Sequence, residues 1–424
     1  MPLFAFGSNG SGQLGLGHEE DVSLPVRCVF EVAEDAAPGD EGTPKGGDVV
    51  RIVAGGNHTL VADRRGRVFA AGWNGDGRCG VSSKEYGGQG EGEMVMRFRR
   101  VVVVGGDSGG GSGDGAGAGG AEAGGGGRVY DTFTGVAASW EGTVLVASGL
   151  EKEEEGQESR DRVFVLGSGL KGELGLGKGC LRASAGGVAI PDFPPPGVRV
   201  RAVASGMAHT VVVLSDGSVW GWGAARKGQL GEANIPDKVV WSPRRIEGWE
   251  GLGFPATGAA CGREFTVIMG DPARGEFAVL GAVDDKWGIR SGVSASQVKE
   301  KALRAGGYRA IEVSWHGVYV HLNNGEVVAW GRNDRGQIPS STSTGDLGHG
   351  QVVRDLAVGS EHLLARLDER TVVACGWGEH GNCGPDTDAQ GNVKGGWKRI
   401  SLPDGESDIV GVGAGCATSW IITA

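Results

Sequence analysis

The side chains in this chain that are able to do acid–base or metal chemistry are 8 histidines, 7 cysteines and 52 carboxylates. A metal or catalytic site needs several of them to converge. His58, His209 and His362 instead recur at one position of a repeated small-residue turn, and His316 sits one place early in another copy. Such spacing spreads them around a repeating structure and predicts turn hydrogen bonding, with no ligand set. His18 and His380 lie in non-equivalent loops and are the two that stand apart. The cysteines, at 28, 79, 180, 261, 375, 383 and 416, form no C-x-x-C pair and are odd in number. They read as free thiols, mostly small buried hydrophobes, in a reducing compartment. No phosphate-binding G-x-x-x-x-G-K-[ST], H-E-x-x-H or G-x-S-x-G is present. Runs such as GSGQLGLG contain G-x-G, but they precede turns where a dinucleotide site needs a helix. The expectation is no catalytic residue, no resident metal and no cofactor.

The elements that carry these residues repeat. FAFGSNGSGQLGLG at residues 4–17 is an apolar strand, a Gly-rich turn and a closing Gly-Gln-Leu-Gly. Variants recur as RVFAAGWNGDGRCG, RVFVLGSGLKGELGLG, SVWGWGAARKGQLG, EFAVLGAVDDKWG, EVVAWGRNDRGQIP and TVVACGWGEHGNCG. The glycines ending the strands are Gly7, Gly72, Gly167, Gly223, Gly281, Gly331 and Gly376, separated by 65, 95, 56, 58, 50 and 45 residues. Between the copies lies a second motif, an apolar strand, a small-residue turn and another apolar strand, as in VRIVAGGNHTLVA and RAVASGMAHTVVVL. Seven units of short strands at this period predict an all-β, seven-bladed propeller with about four strands per blade. The turns ADRRG, LSDG, LNNG and LDER are expected to join one blade to the next. Blade material runs from residue 1 to 424 as a single propeller, with the first strand expected to pair in the last blade and close the ring. Residues 291–307, SGVSASQVKEKALRAGG, form the best helix candidate outside the repeat. Trp220, Trp222 and Trp330 read as strand packing. Trp73, Trp140, Trp315, Trp377 and Trp420 are expected at turns, where exposed tryptophan suits protein binding.

Composition narrows the function classes. Glycine is 84 of 424 residues, against a usual share of ~7%. A formal charge of −11 and a sequence pI near 5.3 argue against a mainly electrostatic nucleic-acid surface, so no direct nucleic-acid contact is expected. No run reaches the ~18 apolar residues of a membrane span, and no signal-like apolar segment follows Met1. An intracellular chain follows as the expectation, and the location expected for it is cytoplasmic and nuclear. Residues 105–127, GGDSGGGSGDGAGAGGAEAGGGG, cannot bury a core and read as a disordered insert within the propeller.

The strand-G-x-N-x-x-G-Q-L-G-x-G unit with its G-x-x-H-T partner resembles the regulator of chromosome condensation repeat. The segments FAFGSNGSGQLGLGHEED, GGNHT, GWGEHGNCGP and GCATSWII are similar to the alpha-tubulin-suppressor, or killer-toxin-insensitivity, branch of fungal members. That resemblance implies a non-enzymatic propeller forming a heterodimer with the small CSL-type zinc-ribbon protein of diphthamide synthesis. Through it, the resemblance implies a role with Elongator in modifying wobble uridines of tRNA. The founding member's activity, guanine-nucleotide exchange, is the competing implication, although the basic tail that would accompany chromatin binding is missing here. A tryptophan-based light sensor would need a recurring Gly-Trp-Arg-His-Thr cluster, which this chain lacks.

Ring closure makes the first and seventh units neighbours. Their turns are expected to bring together His18, Glu19, Glu20, Asn57, Trp377, Glu379, His380 and Asn382. An acidic loop beside a tryptophan suits a small partner carrying Lys or Arg around its metal. The competing reading is that these residues fasten the ring. Should they do so, the interface moves to the divergent fifth and sixth units, around Trp287 and Trp315. Deleting residues 105–127 is expected to leave folding intact, because the segment buries little and loop-closure entropy grows slowly with length. Thermal unfolding of the deletion variant checks this, and a large fall in melting temperature would contradict it.

Overall fold

A computed structural model describes residues 3–31, 43–44, 47–80, 94–105, 128–149, 160–184, 186–249, 253–339, 352–403 and 405–424. Most of the Gly-rich insert, residues 106–127, lies outside them. Seven antiparallel sheets stand radially around one axis. Their innermost strands, Val49–Ala54, Gly135–Ala138, Val200–Ser205, Gly258–Cys261, Tyr308–Ser314, Asp355–Val358 and Ile409–Ala414, surround a central channel of about 450 Å³. Numbered by their landmark glycines, these are blades 1 to 7, with Ile409–Ala414 in blade 1. The chain is an all-β seven-bladed propeller, with one α-helix and short 3₁₀ turns among the described residues.

Five of the seven second strands, His58–Asp63, Gly142–Ala147, His209–Leu214, Gly317–Leu322 and Thr418–Thr423, are buried along their whole length, and in Phe265–Met269 and His362–Arg366 only the last residue is partly exposed. Both faces of a blade pack on neighbouring blades. These strands therefore read as continuous Val, Ile and Leu runs where a half-exposed sheet would alternate.

The landmark glycines share one geometry. All seven have φ between 88° and 123°, in the left-handed region that disfavours a Cβ. A Cβ there would lie 2.2–2.6 Å from the carbonyl oxygen of the turn between the blade's first two strands, for example 2.3 Å from Asn57 O at Gly72. The residue after each glycine donates its N–H to that same carbonyl at 2.7–3.0 Å, as Trp73 does to Asn57 and Trp377 to Glu361. Only glycine lets the third strand come this close.

The blade boundaries differ from the expectation. The turns ADRRG, LSDG, LNNG and LDER do not link blades. They close hairpins between the second and third strands of one sheet, as between His209–Leu214 and Val219–Ala224. The link between blades runs instead from an outer strand back to the next inner one. Closure follows from this phase. Leu3–Gly7 pairs with Thr418–Thr423, Phe4 opposite Ile421 and Ala5 opposite Trp420, and the sheet order is Val22–Arg27, Leu3–Gly7, Thr418–Thr423, Ile409–Ala414. Trp420, expected at a turn, is fully buried in this sheet.

Two blades depart from four strands. Blade 5 has three, Gly258–Cys261, Phe265–Met269 and Phe277–Gly281. Its chain then forms the helix Ala295–Arg304, started by Ser294, whose hydroxyl accepts from Gln297 N while the Gln297 side chain accepts from Ser294 N. Val298 and Ala302 of the helix share a core with Phe277, Tyr308 and Trp330. Blade 6 has three strands among the described residues.

The recurrent histidines join blades. His58 Nε2 meets Thr143 Oγ1 of blade 3 at 3.0 Å, and Thr143 donates to Arg78 O at 2.7 Å. His209 Nε2 meets Thr266 Oγ1 at 2.9 Å, and Thr266 donates to Gln229 O. His362 Nε2 meets Ser419 Oγ at 2.9 Å, and Ser419 donates to Asn382 O. Each hydroxyl hydrogen is used on a carbonyl, so the hydroxyl accepts from the imidazole Nε2–H. These clasps hold blade 2 to 3, 4 to 5 and 7 to 1. Burial lowers the pKa to about 3 for His58 and about 4 for His209 and His362. In the unfolded chain these groups titrate near ~6.5. Between pH ~6.5 and 4 the unfolded state therefore binds more protons, and stability falls with falling pH, by up to ~1.4 kcal/mol per pH unit for each histidine. The His362→Gln variant is expected to melt lower at pH 7 and to lose less stability than the parent between pH 6.5 and 4.5. Parallel pH slopes for the two proteins in thermal unfolding would contradict the clasp.

Candidate protein-binding face at the channel mouth

The turns between first and second strands ring one end of the channel, and main-chain hydrogen bonds tie them together. Gly56 N donates to Trp140 O, Trp140 N to Met207 O, Arg263 N to Trp315 O, Trp315 N to Ser360 O and Ser360 N to Gly415 O, all at 2.9–3.0 Å. Because these turns are fixed, their side chains are presented on a rigid rim. Trp140 of blade 3 and Trp315 of blade 6 meet with ring centroids 5.7 Å apart. Under them, Asn57, Trp377 and His380 line a cavity of about 180 Å³.

Cations decorate the aromatic rim. The Arg263 guanidinium stands 5.6 Å from the Trp315 centroid and Arg335 5.2 Å from Trp377. Lys286 and Arg332 both lie over Trp287, at 4.7 and 5.0 Å. Arg332 also pairs with Asp334 at 2.7 Å and with Glu361, and Arg335 reaches Glu361 at 3.4 Å. Burial raises the Glu361 pKa, against the downward pull of Arg332 and Arg335. His316, packed on Trp287 at 5.9 Å, is lowered to about 4, first by burial and then by Arg263, Arg332 and Lys286.

The sequence-predicted residues divide into three groups. Trp377, His380 and Asn57 converge on the cavity. His380 packs edge-on against Trp377 at 5.4 Å, and its Nδ1 lies 2.8 Å from Asp21 Oδ2, joining the loops of blades 7 and 1. Trp377 Nε1 donates to Glu379 Oε2 at 3.0 Å. Glu19 and Glu20 are exposed on the adjoining loop, outside the cavity, and His18 Nδ1 accepts from Glu20 N. Asn382 is the exception: it is fully buried and its Nδ2 donates to Trp377 O, so it holds the turn and presents nothing to a partner. At a different place, two residues after the landmark glycines of blades 1, 2 and 6, Asn9, Asn74 and Asn333 hold their turns through the side-chain oxygen, which accepts from Leu14, Cys79 and Ile338 N. Sequence reasoning passed over Asp21 as a contact residue and missed the cations Arg263, Lys286, Arg332 and Arg335. The available signal covered two of them: Lys286 directly precedes Trp287, and Arg332 directly follows the landmark Gly331.

The chemistry offered is adhesion. Among the described residues, no group of three or more His, Cys, Asp or Glu could hold a metal ion, and no helix is long and apolar enough to cross a membrane. The family model for the regulator of chromosome condensation (RCC1) repeat matches residues 3–62 and 216–269. The fold is a seven-bladed propeller, and over those residues its repeats are similar to the RCC1 repeat. The chain is 28% identical to an RCC1 repeat-containing protein of Schizosaccharomyces pombe across 99% of this chain and 98% of that one. It is 26% identical to the mouse secretion-regulating guanine nucleotide exchange factor, over 99% of this chain and 83% of that protein. Among solved structures it is similar to human WBSCR16, with a TM-score of 0.67 and 17% identity covering 100% of both chains. At that identity the last likeness bears on the fold alone.

The cationic rim of the propeller has a spectroscopic consequence. His316 is expected to stay neutral, its ring signals unchanged in NMR spectra between pH 8 and 5. Arg332→Ala removes one of the cations that lower it, and its pKa should then rise. Titration of the parent His316 near the usual imidazole value would contradict this field.

Proposed function

We propose that this propeller is a non-enzymatic scaffold that binds the small CSL-type zinc-ribbon protein of diphthamide synthesis and, through it, supports Elongator-dependent modification of tRNA wobble uridines, in the cytoplasm and nucleus. The observation that carries the reading is the His380–Asp21 contact at 2.8 Å. It draws the two loops whose sequences resemble the alpha-tubulin-suppressor branch into one surface at the channel mouth. Exposed Glu19, Glu20 and Glu379 steer a partner that carries cations around its metal, and half-buried Trp377 anchors it. The full-length likeness to a fungal RCC1-repeat protein is consistent with this reading.

A second reading is guanine-nucleotide exchange on a small GTPase, favoured by the name of the mouse relative. Pulldown with the zinc-ribbon protein and with a Ran-type GTPase separates the two. Replacing Glu19, Glu20, Glu379 and His380 by Ala is expected to weaken zinc-ribbon binding by tenfold or more, about 1.4 kcal/mol, while hardly moving the melting temperature. Unchanged affinity would place the interface on blades 5 and 6, around Trp287 and Trp315. Accelerated nucleotide release from the GTPase, with no zinc-ribbon capture, would replace the first reading by the second.

A further inference from the structure

Blade 5 ends in an unpaired edge. In four other blades the residue four before the landmark glycine offers its carbonyl to the incoming outer chain: Leu3 O accepts from Cys28 N, Val68 O from Val101 N, Val163 O from Ile190 N and Val219 O from Ile246 N. The equivalent residue of blade 5, four before its landmark glycine, is Phe277. By strand alternation Phe277 and Val279 turn their N–H and C=O groups outward. Phe277–Gly281 pairs with Phe265–Met269 on its inner side and, among the described residues, with no strand on its outer side. The chain from Gly281 to Tyr308 is described throughout and supplies no fourth strand. Its helix lies toward the opposite end of the blade, with Ala302 and Lys299 against Gly275.

What stands in the fourth strand's place is a groove of about 640 Å³ on the outer wall, floored by Phe277–Gly281 and walled by Trp249, Ile289, Val293 and Trp330, with no helix residue lining it. Trp249 is 4% exposed, and its indole N–H has no acceptor among the described residues. Neighbouring indoles do find one: Trp330 Nε1 donates to Ile289 O and Trp222 Nε1 to Glu173 O. A buried, unpartnered donor costs ~1–3 kcal/mol, and an incoming main-chain carbonyl would satisfy it. The rim of the groove is acidic. Glu232 and Glu247 are exposed there, and Arg290 answers only Glu232, at 3.4 Å. The chain's own fourth strands show which sequence fits such a place. Met94–Arg100, MVMRFRR, buries Val95 and Phe98 and carries Arg97, Arg99 and Arg100, while Asn392–Ile400 carries Lys394, Lys398 and Arg399.

We propose that the free edge Phe277–Gly281 is a strand-addition site, where an extended segment of a partner protein, apolar at intervals and basic between, pairs antiparallel and completes blade 5. Main-chain hydrogen bonds provide the register, the apolar walls take the inward side chains, and Glu247 and Glu232 take the cations. The site shares no lining residue with the cavity at the channel mouth and does not depend on the function proposed for that mouth.

The test uses the full chain and a fluorescein-labelled MVMRFRR peptide followed by anisotropy. Saturable binding is expected. Two further peptides carry N-methyl groups on one or the other alternate set of amides. One set should abolish binding, at least tenfold, and the other should leave it intact, because only one set faces the edge. Val279→Pro, which removes an outward N–H without touching the inner ladder, should abolish binding while the fold survives by circular dichroism. Trp249→Phe should weaken binding several-fold. Absence of saturable binding to the parent, or equal binding of both N-methylated peptides, would overturn the proposal. So would a dimer of the chain alone that Val279→Pro dissociates, since the edge would then belong to a second copy.

Discussion

The structure rests on the approach of each third strand to the turn that begins its own blade. Seven glycines bring the strand end so near that a Cβ would sit 2.2–2.6 Å from a carbonyl oxygen, and the next residue's N–H captures that oxygen. The contact locks the turn between first and second strands. Those turns in turn bond to one another around the channel mouth, so blade-level geometry becomes ring-level geometry. A side chain at any of the seven glycines would combine a strained φ with overlap against main chain, which has no way to yield.

The blades are then held to each other by different means at different junctions. Three junctions use a buried imidazole, a hydroxyl and a carbonyl. At the junction of blades 5 and 6 the corresponding residues are Phe265 and Val318, both buried in one apolar core. Either device works because both fill the same gap without leaving the key donors unanswered. Blade 5 is where the two styles meet. It accepts a clasp from blade 4 through Thr266, packs apolar residues against blade 6, and gives up its fourth strand. The edge left over is a consequence of replacing a strand by a capped helix.

The channel mouth illustrates how little a net charge says about one surface. The chain carries −11 overall, yet Arg263, Lys286, Arg332 and Arg335 stand on the rim tryptophans, while the acidic residues Glu19 to Asp21 gather on the blade 1 loop. Both signs within one face favour a partner held in a single orientation, since rotating it brings like charges together.

The sequence by itself determined the blade count, the closure and the helix, because each is written in short-range patterns: a glycine period, apolar runs at both ends of the chain, and Ser294 three residues ahead of Gln297. It also placed Trp377 and His380 beside the loop of the first unit, since closure makes those loops neighbours, whereas Asn57 reaches the same cavity from blade 2. Tertiary structure decided the rest. Blade phase was ambiguous because the hairpin turns and the blade-to-blade links both separate strands by a few polar residues. The histidines appeared to serve their own turns, but their partners, Thr143, Thr266 and Ser419, lie 57 to 85 residues away in the next blade. Asn382 looked like a surface residue, yet packing buries it, because its amide is needed inside the turn. The cationic rim and the empty fourth-strand groove arise only when distant loops share an axis and neighbouring blades differ in strand number. No local pattern records either, because both are relations between elements that the chain writes far apart.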